Sequence, residues 1–451
     1  MIKPILIGRQ RKMIRKEYRF SAMFAVYLMA IFNGQLFLRL PCEQLLWKVH
    51  ALYLGCLLLF IYGYFLTVMM TKRSSAKILL IPVVFYLLLF FYPPIMANLN
   101  HGQPLVYGYL AGRNFITILS GLLIFLLLRN RVISIDDLVI TFLAVAWTSL
   151  IYFFLLTRIV DESAHVDEMS NVGVSTHLGV RYVFNISFIV YGCIYYFQAM
   201  LTRLGVWNVA SFISYFSYLV FIYKGRTTLA VVLFLLVLIM LRGLKSRVKR
   251  IFGNTILVLV LLITGAFCGL ALYGDSSFLE GFEESFNSAW LALNGELGDD
   301  PSANSRIYQT EIITKYWSGG VWRLLLGTGQ LSRQYNDGFI GTFGYLYPSD
   351  TGLIGGTFVF GLLGIVLVTI VVLMALKWAN KVVKVCNDDG ILSIRYYYFY
   401  YLIMSLSTIE ILFRSYHVVM MYGIFAYLYS ELFIKKRSAS QVCTNPISHH
   451  C

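Results

Sequence analysis

Charge is scarce in this chain. Only 13% of its 451 residues are Asp, Glu, Lys or Arg, whereas 59% are hydrophobic. A soluble domain carries about 25% charged and about 45–50% apolar residues, so a water-exposed surface over most of the chain is ruled out. Acids are the rarer sign, 22 against 37 bases. Paired thiols are lacking too: Cys42, Cys56, Cys193, Cys268, Cys386, Cys443 and Cys451 form no C-x-x-C, and most sit in apolar blocks or the tail. That leaves no basis for a disulfide framework or a zinc site. There is no H-E-x-x-H and no outer D-x-D, hence no sequence signal for a metal, and no cofactor is implied. The alternating ten-residue strands of a membrane barrel are missing as well.

The apolar residues fall in blocks long enough to cross a hydrocarbon core, roughly 17–25 residues each. Such blocks must satisfy their own backbone and so form helices. Twelve are read, at about 20–38, 46–70, 78–97, 108–128, 138–157, 182–202, 206–223, 227–241, 254–273, 354–376, 396–413 and 418–434. The basic start leads directly into the first span, with no cleavable signal peptide evident. The expected fold class is an all-α polytopic membrane protein. It divides into helices one to nine (1–273), a large loop (274–353), helices ten to twelve (354–434) and a tail (435–451).

The formal charge of +15 first suggests nucleic acid. Its distribution points elsewhere. With a cytoplasmic N-terminus, 25 of the 37 basic residues lie in inner segments and 16 of the 22 acids lie outside, giving +19 within and −4 without. This is the positive-inside asymmetry of a membrane protein. Both termini are then cytoplasmic, and no nucleic-acid partner is expected. Two outer segments, 158–181 and 274–353, exceed ordinary connections. Loops of such length are functional or disordered, and the aromatic content of the second favours order.

Candidate site residues cluster on that outer face. Arg226 stands in Lys224-Gly225-Arg226-Thr227-Thr228 at the start of span eight. A guanidinium there suits bidentate capture of phosphate or diphosphate, or simply anchors the helix at the lipid interface. Arg306 ends Pro301-Ser302-Ala303-Asn304-Ser305-Arg306, which reads as the opening of a helix running to about Trp317. It could face a phosphate or pair with Asp299, Asp300 or Glu311. Leu326-Gly327-Thr328-Gly329-Gln330 is a glycine turn, read first as a plain turn and second as a close backbone approach.

Asp350, in Tyr347-Pro348-Ser349-Asp350-Thr351-Gly352, could serve as a general base or, with Ser349, merely cap span ten. Arg414-Ser415-Tyr416-His417 turns between the last two spans. Glu410 lies one helical turn before Arg414, and His417 is either a proton carrier or structural. Arg113, beside Asn114 at the start of span four, is a weaker candidate.

In this order the features resemble the O-antigen polymerase and O-antigen ligase superfamily. The residues that carry the likeness are Gly225-Arg226-Thr227-Thr228-Leu229 after span seven, Ser305-Arg306 in a late periplasmic loop, Leu324-Leu325-Leu326-Gly327-Thr328-Gly329-Gln330, and the run from Tyr347 to Gly364 entering span ten. The resemblance spans the whole chain through short motifs. It implies a membrane glycosyltransferase of the C type, without metal or nucleotide sugar. Its donor and acceptor would be glycans on undecaprenyl diphosphate, and it leaves room for a chain-length regulator as partner. By motif position Arg226 and Arg306 would hold the diphosphate, assisted by Arg414 and Arg113, with Asp350 orienting or deprotonating the acceptor hydroxyl and His417 as its substitute. Ligases of the superfamily commonly present a histidine where this chain has Pro348-Ser349-Asp350, so a polymerase is expected. A ligase, or a flippase for the same glycan, is the alternative. The location implied is the bacterial inner membrane, active on its periplasmic face.

Overall fold

A computed structural model describes residues 16–33, 78–159, 173–176, 179–182, 185–223, 225–246, 250–259, 301–386, 388–408 and 416–434, together with Val248 and scattered positions in 45–63. These residues define an all-α membrane protein. Five described helical segments are long and apolar enough to cross a membrane: Leu80–His101, Ile135–Arg158, Val206–Tyr223, Thr227–Leu244 and Pro348–Val385.

In chain order the helices are α1 (Lys16–Asn33), α2 (Leu80–His101), α3 (Leu105–Ala111), α4 (Ser120–Arg129), α5 (Ile135–Ile159), α6 (Ser187–Thr202), α7 (Val206–Ser217), α8 (Arg226–Leu244), α9 (Pro301–Ser318), α10 (Val321–Leu326), α11 (Gly338–Phe343), α12 (Gly352–Val385), α13 (Asp389–Thr408) and α14 (Tyr416–Tyr429). A π-helical turn, Tyr218–Tyr223, extends α7. A hairpin, β1 (Gly173–Thr176) with β2 (Gly179–Tyr182), pairs antiparallel with Gly173 opposite Tyr182. It occupies the end of the acidic segment read as the first long outer connection (158–181) and runs one residue past it, to Tyr182.

The core is aromatic. Tyr191, Tyr215, Tyr398, Tyr401 and Tyr422 are all but fully buried, as are Phe188 and Phe197. Their rings bring apolar area between helices while the hydroxyls seek partners: Tyr397 and Tyr401 are bonded at 3.2 Å, as are Tyr398 and Tyr422. α13 packs on α6, α8 and α12, while α14 packs on α4 and α12.

The bundle has two ends with different chemistry. At the tail end Arg19, opening α1, grips the fully buried Asp137 on α5 through Nη2 at 2.5 Å and Nε at 3.2 Å. Ser134 and Asp137 also exchange side chain-to-amide bonds at 2.9 and 3.2 Å. This reciprocal capping box satisfies the first amides of α5. Asp389, opening α13, accepts from the Thr202 hydroxyl at 2.7 Å. Residues that the charge reading assigns to the inner face therefore meet at one end of the bundle. At the opposite, loop end lie α9–α11, the last turns of α2 and the start of α12.

Two spans differ from their expected form. Span four is not one α-helix: α3 gives way to a 3-10 stretch, Gly112–Leu119, before α4. Gly108 is pressed on Pro94, where an added Cβ would lie 2.7 Å from the proline Cβ, and β-branched Ile116, Thr117 and Ile118 follow. Both features weaken an α-helical register at this point. Span ten is far longer than 354–376. At about 1.5 Å per residue, the 34 residues of α12 reach about 50 Å, well past a hydrocarbon core of about 30 Å. It is interrupted at Gly361, with φ 61° and ψ 175°.

Candidate functional site

The loop end is built into the bundle by backbone-to-backbone contact. α2 contains Pro93 and Pro94, which carry no N–H, so the carbonyls of Leu89 and Phe90 lose their helical donors. α12 is broken at Gly361, which releases the carbonyls just before it. The Leu326–Gln330 turn lies against both interruptions. Thr328 N–H donates to Phe358 O at 2.7 Å, Gly329 N–H to Val359 O at 3.0 Å, and Gln330 N–H to Pro93 O at 3.2 Å. The Tyr92 hydroxyl bonds both Leu326 O and Phe360 O, the latter at 2.7 Å. Only glycine fits here. A Cβ on Gly327, at φ 74°, would stand 2.5 Å from Gly361 N, and one on Gly329, at φ 92°, would overlap the backbone of Pro93 and Ala97. The turn is thus a close backbone approach, which corrects the plain turn favoured from sequence.

Side chains at the end of α2 secure the other side of the turn. Asn100 Nδ2 donates to Gly327 O and Thr328 O at 3.3 and 3.2 Å. His101 Nε2 lies 2.6 Å from the Thr328 hydroxyl, and Thr328 is wholly buried. Gln103, also wholly buried, donates from Nε2 to Gln330 O at 3.0 Å and accepts Ser332 N–H at 2.8 Å.

α9 begins at Pro301, so the residues read as its preface form its first turn, where proline's missing N–H costs nothing. The buried Gln309 donates from Nε2 to Ser305 Oγ at 2.9 Å, and its Oε1 accepts Tyr347 N–H at the same distance. One side chain thereby ties the helix that carries Arg306 to the segment entering Pro348-Ser349-Asp350. Beneath it, Phe358 of α12 is enclosed by Tyr316, Phe343 and Phe339 at centroid distances of 5.1, 5.2 and 6.1 Å. Arg323 stacks on Tyr316 at 5.0 Å.

The expected site residues divide between this assembly and its surroundings. Arg306 is half-buried on α9 and makes no ion pair with Glu311; Asp299 and Asp300, its other expected partners, lie outside the described residues. Asp350 is exposed on the 3-10 turn Pro348–Thr351, accepting from Ser349 Oγ at 3.2 Å. Neither Ser349 nor Asp350 caps α12: Thr351 holds the N-cap position, without a side-chain cap bond. That turn packs on α9 and also on α13. Arg226 opens α8, which contacts α13 in turn, so α13 links its helix to the loop assembly. Arg113 is exposed at the start of the 3-10 stretch after α3. His417 lies in the first turn of α14. The side chains of Arg226 and His417 lie outside the described residues, as do Arg414 and Glu410 entirely.

Among the described residues no three His, Cys, Asp or Glu side chains converge. The chemistry available at the loop end is that of guanidinium groups (Arg306, Arg323 and Arg333), the exposed carboxylates of Glu311, Asp337 and Asp350, and tyrosine faces. Arg333 lies over Tyr347 at 5.9 Å. Sequence reading passed over Tyr92, Asn100, His101, Gln103 and Gln309. The signals were present in the paired prolines inside an apolar run and the polar Asn98-Leu99-Asn100-His101-Gly102-Gln103 closing it. No protein-family model matches the chain, and no curated protein matches it.

Proposed function

We propose that this protein is a polymerase of O-antigen or another surface polysaccharide, a metal-independent membrane glycosyltransferase of the C type with about twelve spans. It would join oligosaccharide repeat units carried on undecaprenyl diphosphate at the periplasmic face of the bacterial inner membrane. In the reaction an acceptor hydroxyl on one repeat unit attacks the anomeric carbon of the donor. The bond from that carbon to the diphosphate oxygen breaks, undecaprenyl diphosphate leaves with the electron pair, and the hydroxyl proton passes to Asp350 or to water. Arg306 and Arg226 would stabilise the charge developing on the leaving diphosphate, the kind of preorganised contact that contributes most to such barriers.

The observation that carries this reading is the Gln309 bridge. It holds an arginine that has no carboxylate partner among the described residues and an exposed aspartate on adjoining elements of one assembly at the loop end.

The test is the surface-polysaccharide gel profile of a strain lacking the gene. Collapse of a ladder to core plus one repeat unit is expected. Long polymer accumulating on undecaprenyl diphosphate, with no repeat units on the core, would show a ligase. Single lipid-linked units building up on the cytoplasmic face would show a flippase.

A further inference from the structure

The segment 320–330 meets the bundle well short of the helix ends. Its turn donates to Pro93 O on α2, and α10 just before it packs on α12 at Gly361. Pro93 stands 13 residues into α2 from Leu80, a rise of about 20 Å from the tail end. Gly361 stands 16 residues before Lys377, the first charge in α12, a rise of about 24 Å. A hydrocarbon core is about 30 Å thick. Both helices therefore place α10 and its turn at lipid depth, near the loop-end rim.

The chemistry of the segment agrees with that depth. Irregular backbone inside a bilayer is tolerated where protein satisfies it. The amides of Gly327, Thr328, Gly329 and Gln330 all donate to backbone carbonyls. The carbonyls of Leu326, Gly327, Thr328 and Gln330 accept from Tyr92, Asn100 and Gln103. The outward side of α10 is apolar instead. Val321, Trp322 and Leu325 share one face by their spacing and are 70%, 73% and 36% exposed. Tryptophan is enriched where membrane meets water. Arg323 turns the other way, over the Tyr316 ring at 5.0 Å, and donates to Tyr316 O at 3.4 Å. A basic side chain at the lipid rim keeps its head out of the acyl layer in this manner.

α12 supplies continuity with the lipid-facing surface. Residues 355–361 are buried beneath the loop elements, whereas Leu362, Leu363, Val366 and Ile370, directly past the break, are exposed. The apolar face of α10 thus lies where this exposed stripe begins. We propose that α10 is a re-entrant element whose Val321, Trp322 and Leu325 side chains are embedded among lipid acyl chains, while α9 stands outside the bilayer. The loop-end assembly is thereby anchored to lipid as well as to the bundle. This anchor does not depend on the polymerase reading.

The test uses the purified full chain in vesicles of phosphatidylglycerol and phosphatidylcholine. A photoactivated diazirine is carried at mid-acyl chain in one preparation and on the headgroup in another, and adducts are mapped by peptide mass spectrometry. The mid-chain carbene is expected to label Val321, Trp322 and Leu325 as heavily as Leu362, Leu363 and Val366. It should leave Tyr308 unlabelled, although that side chain is 53% exposed on α9. Labelling of α10 by the headgroup carbene alone would lay it on the surface and overturn the embedding. Labelling of the stripe with none on α10 from either lipid would also overturn it, leaving a second copy of the chain as the cover of this face.

Discussion

Replacing Gly361 by alanine tests whether the break in α12 is a built part of the fold. Its backbone, φ 61° and ψ 175°, lies in a region that only glycine occupies readily, and other residues there cost about 1–3 kcal/mol. The new Cβ would also run into Leu325 O. The chain has one way to escape, which is to heal the helix through position 361. That would return Phe358 O and Val359 O to intrahelical donors and leave Thr328 N–H and Gly329 N–H unsatisfied, at about 1–3 kcal/mol each. The first route costs about 1–3 kcal/mol of strain besides the clash, and the second about 2–6 kcal/mol for the two amides together.

Limited trypsinolysis reads this directly, because the exposed Arg323 and Arg333 flank the turn. Cleavage of a transiently opened segment follows its open population, and about 1.4 kcal/mol is a tenfold change. Gly361→Ala is therefore expected to be cut at least about tenfold faster at these two sites. Gly253→Ala is the control: it is helical, its added Cβ meets nothing within 4 Å, and alanine favours a helix by about 1 kcal/mol. If both variants are cut at the wild-type rate, the turn is not anchored by the break and the account of the loop end fails.

Three further outcomes are expected. Gln309→Leu strands the Tyr347 amide and the Ser305 hydroxyl, costing about 1–3 kcal/mol; a thermal midpoint equal to wild type would refute the bridge. Arg306→Ala, present in membranes at normal abundance, should slow polymer extension about 10²–10³-fold, the usual effect of deleting one charge-stabilising donor; an unchanged ladder removes Arg306 from the proposed chemistry. Arg19→Met leaves the buried Asp137 with only the Ser134 amide and should cost about 2–4 kcal/mol, somewhat discounted because Arg19 is 47% exposed. Adding Asp137→Asn, which removes the charge and keeps an acceptor for the Ser134 amide, should recover most of that loss, and a double variant no more stable than the single one would contradict the pairing.

The sequence carried those parts of the fold whose physics is local. Apolar runs predict helices because lipid leaves the backbone no other partner, and α5, α7 with its π-helical turn, and α8 begin and end within a few residues of the expected spans. α9 was legible for the same reason, through Pro301 and the polar residues of its first turn. What escaped was set by contact between distant segments. Gly361 reads as one more small residue in a glycine-rich span, and only Leu325 pressing on it reveals why φ is positive. Gln103 and Gln309 look like ordinary polar residues; their roles depend on amides 229 and 38 positions away. Arg306 and Asp350 were both named from sequence, yet the side chain relating their two elements was not, since nothing near Gln309 in the chain announces its partner.

The two helix interruptions bear on the choice between catalysis and transport. Broken helices are a hallmark of secondary transporters, where unwound carbonyls and half-helix ends coordinate the ion or substrate. By that criterion Pro93-Pro94 and Gly361 would count for a transporter. The fate of the released carbonyls points the other way. At the break in α12, Phe358, Val359 and Phe360 each have a protein donor, Thr328 N–H, Gly329 N–H and the Tyr92 hydroxyl, and Pro93 O beside the proline pair accepts Gln330 N–H. These four oxygens are engaged by the protein itself. The turn also joins α2 and α12 directly, so rocking one helix past the other must break several backbone bonds at once. Such a junction holds still, which suits the proposed polymerase, whose reacting groups need a fixed geometry, better than a carrier. The breaks are therefore better understood as the socket for an extramembrane loop than as the halves of a gate.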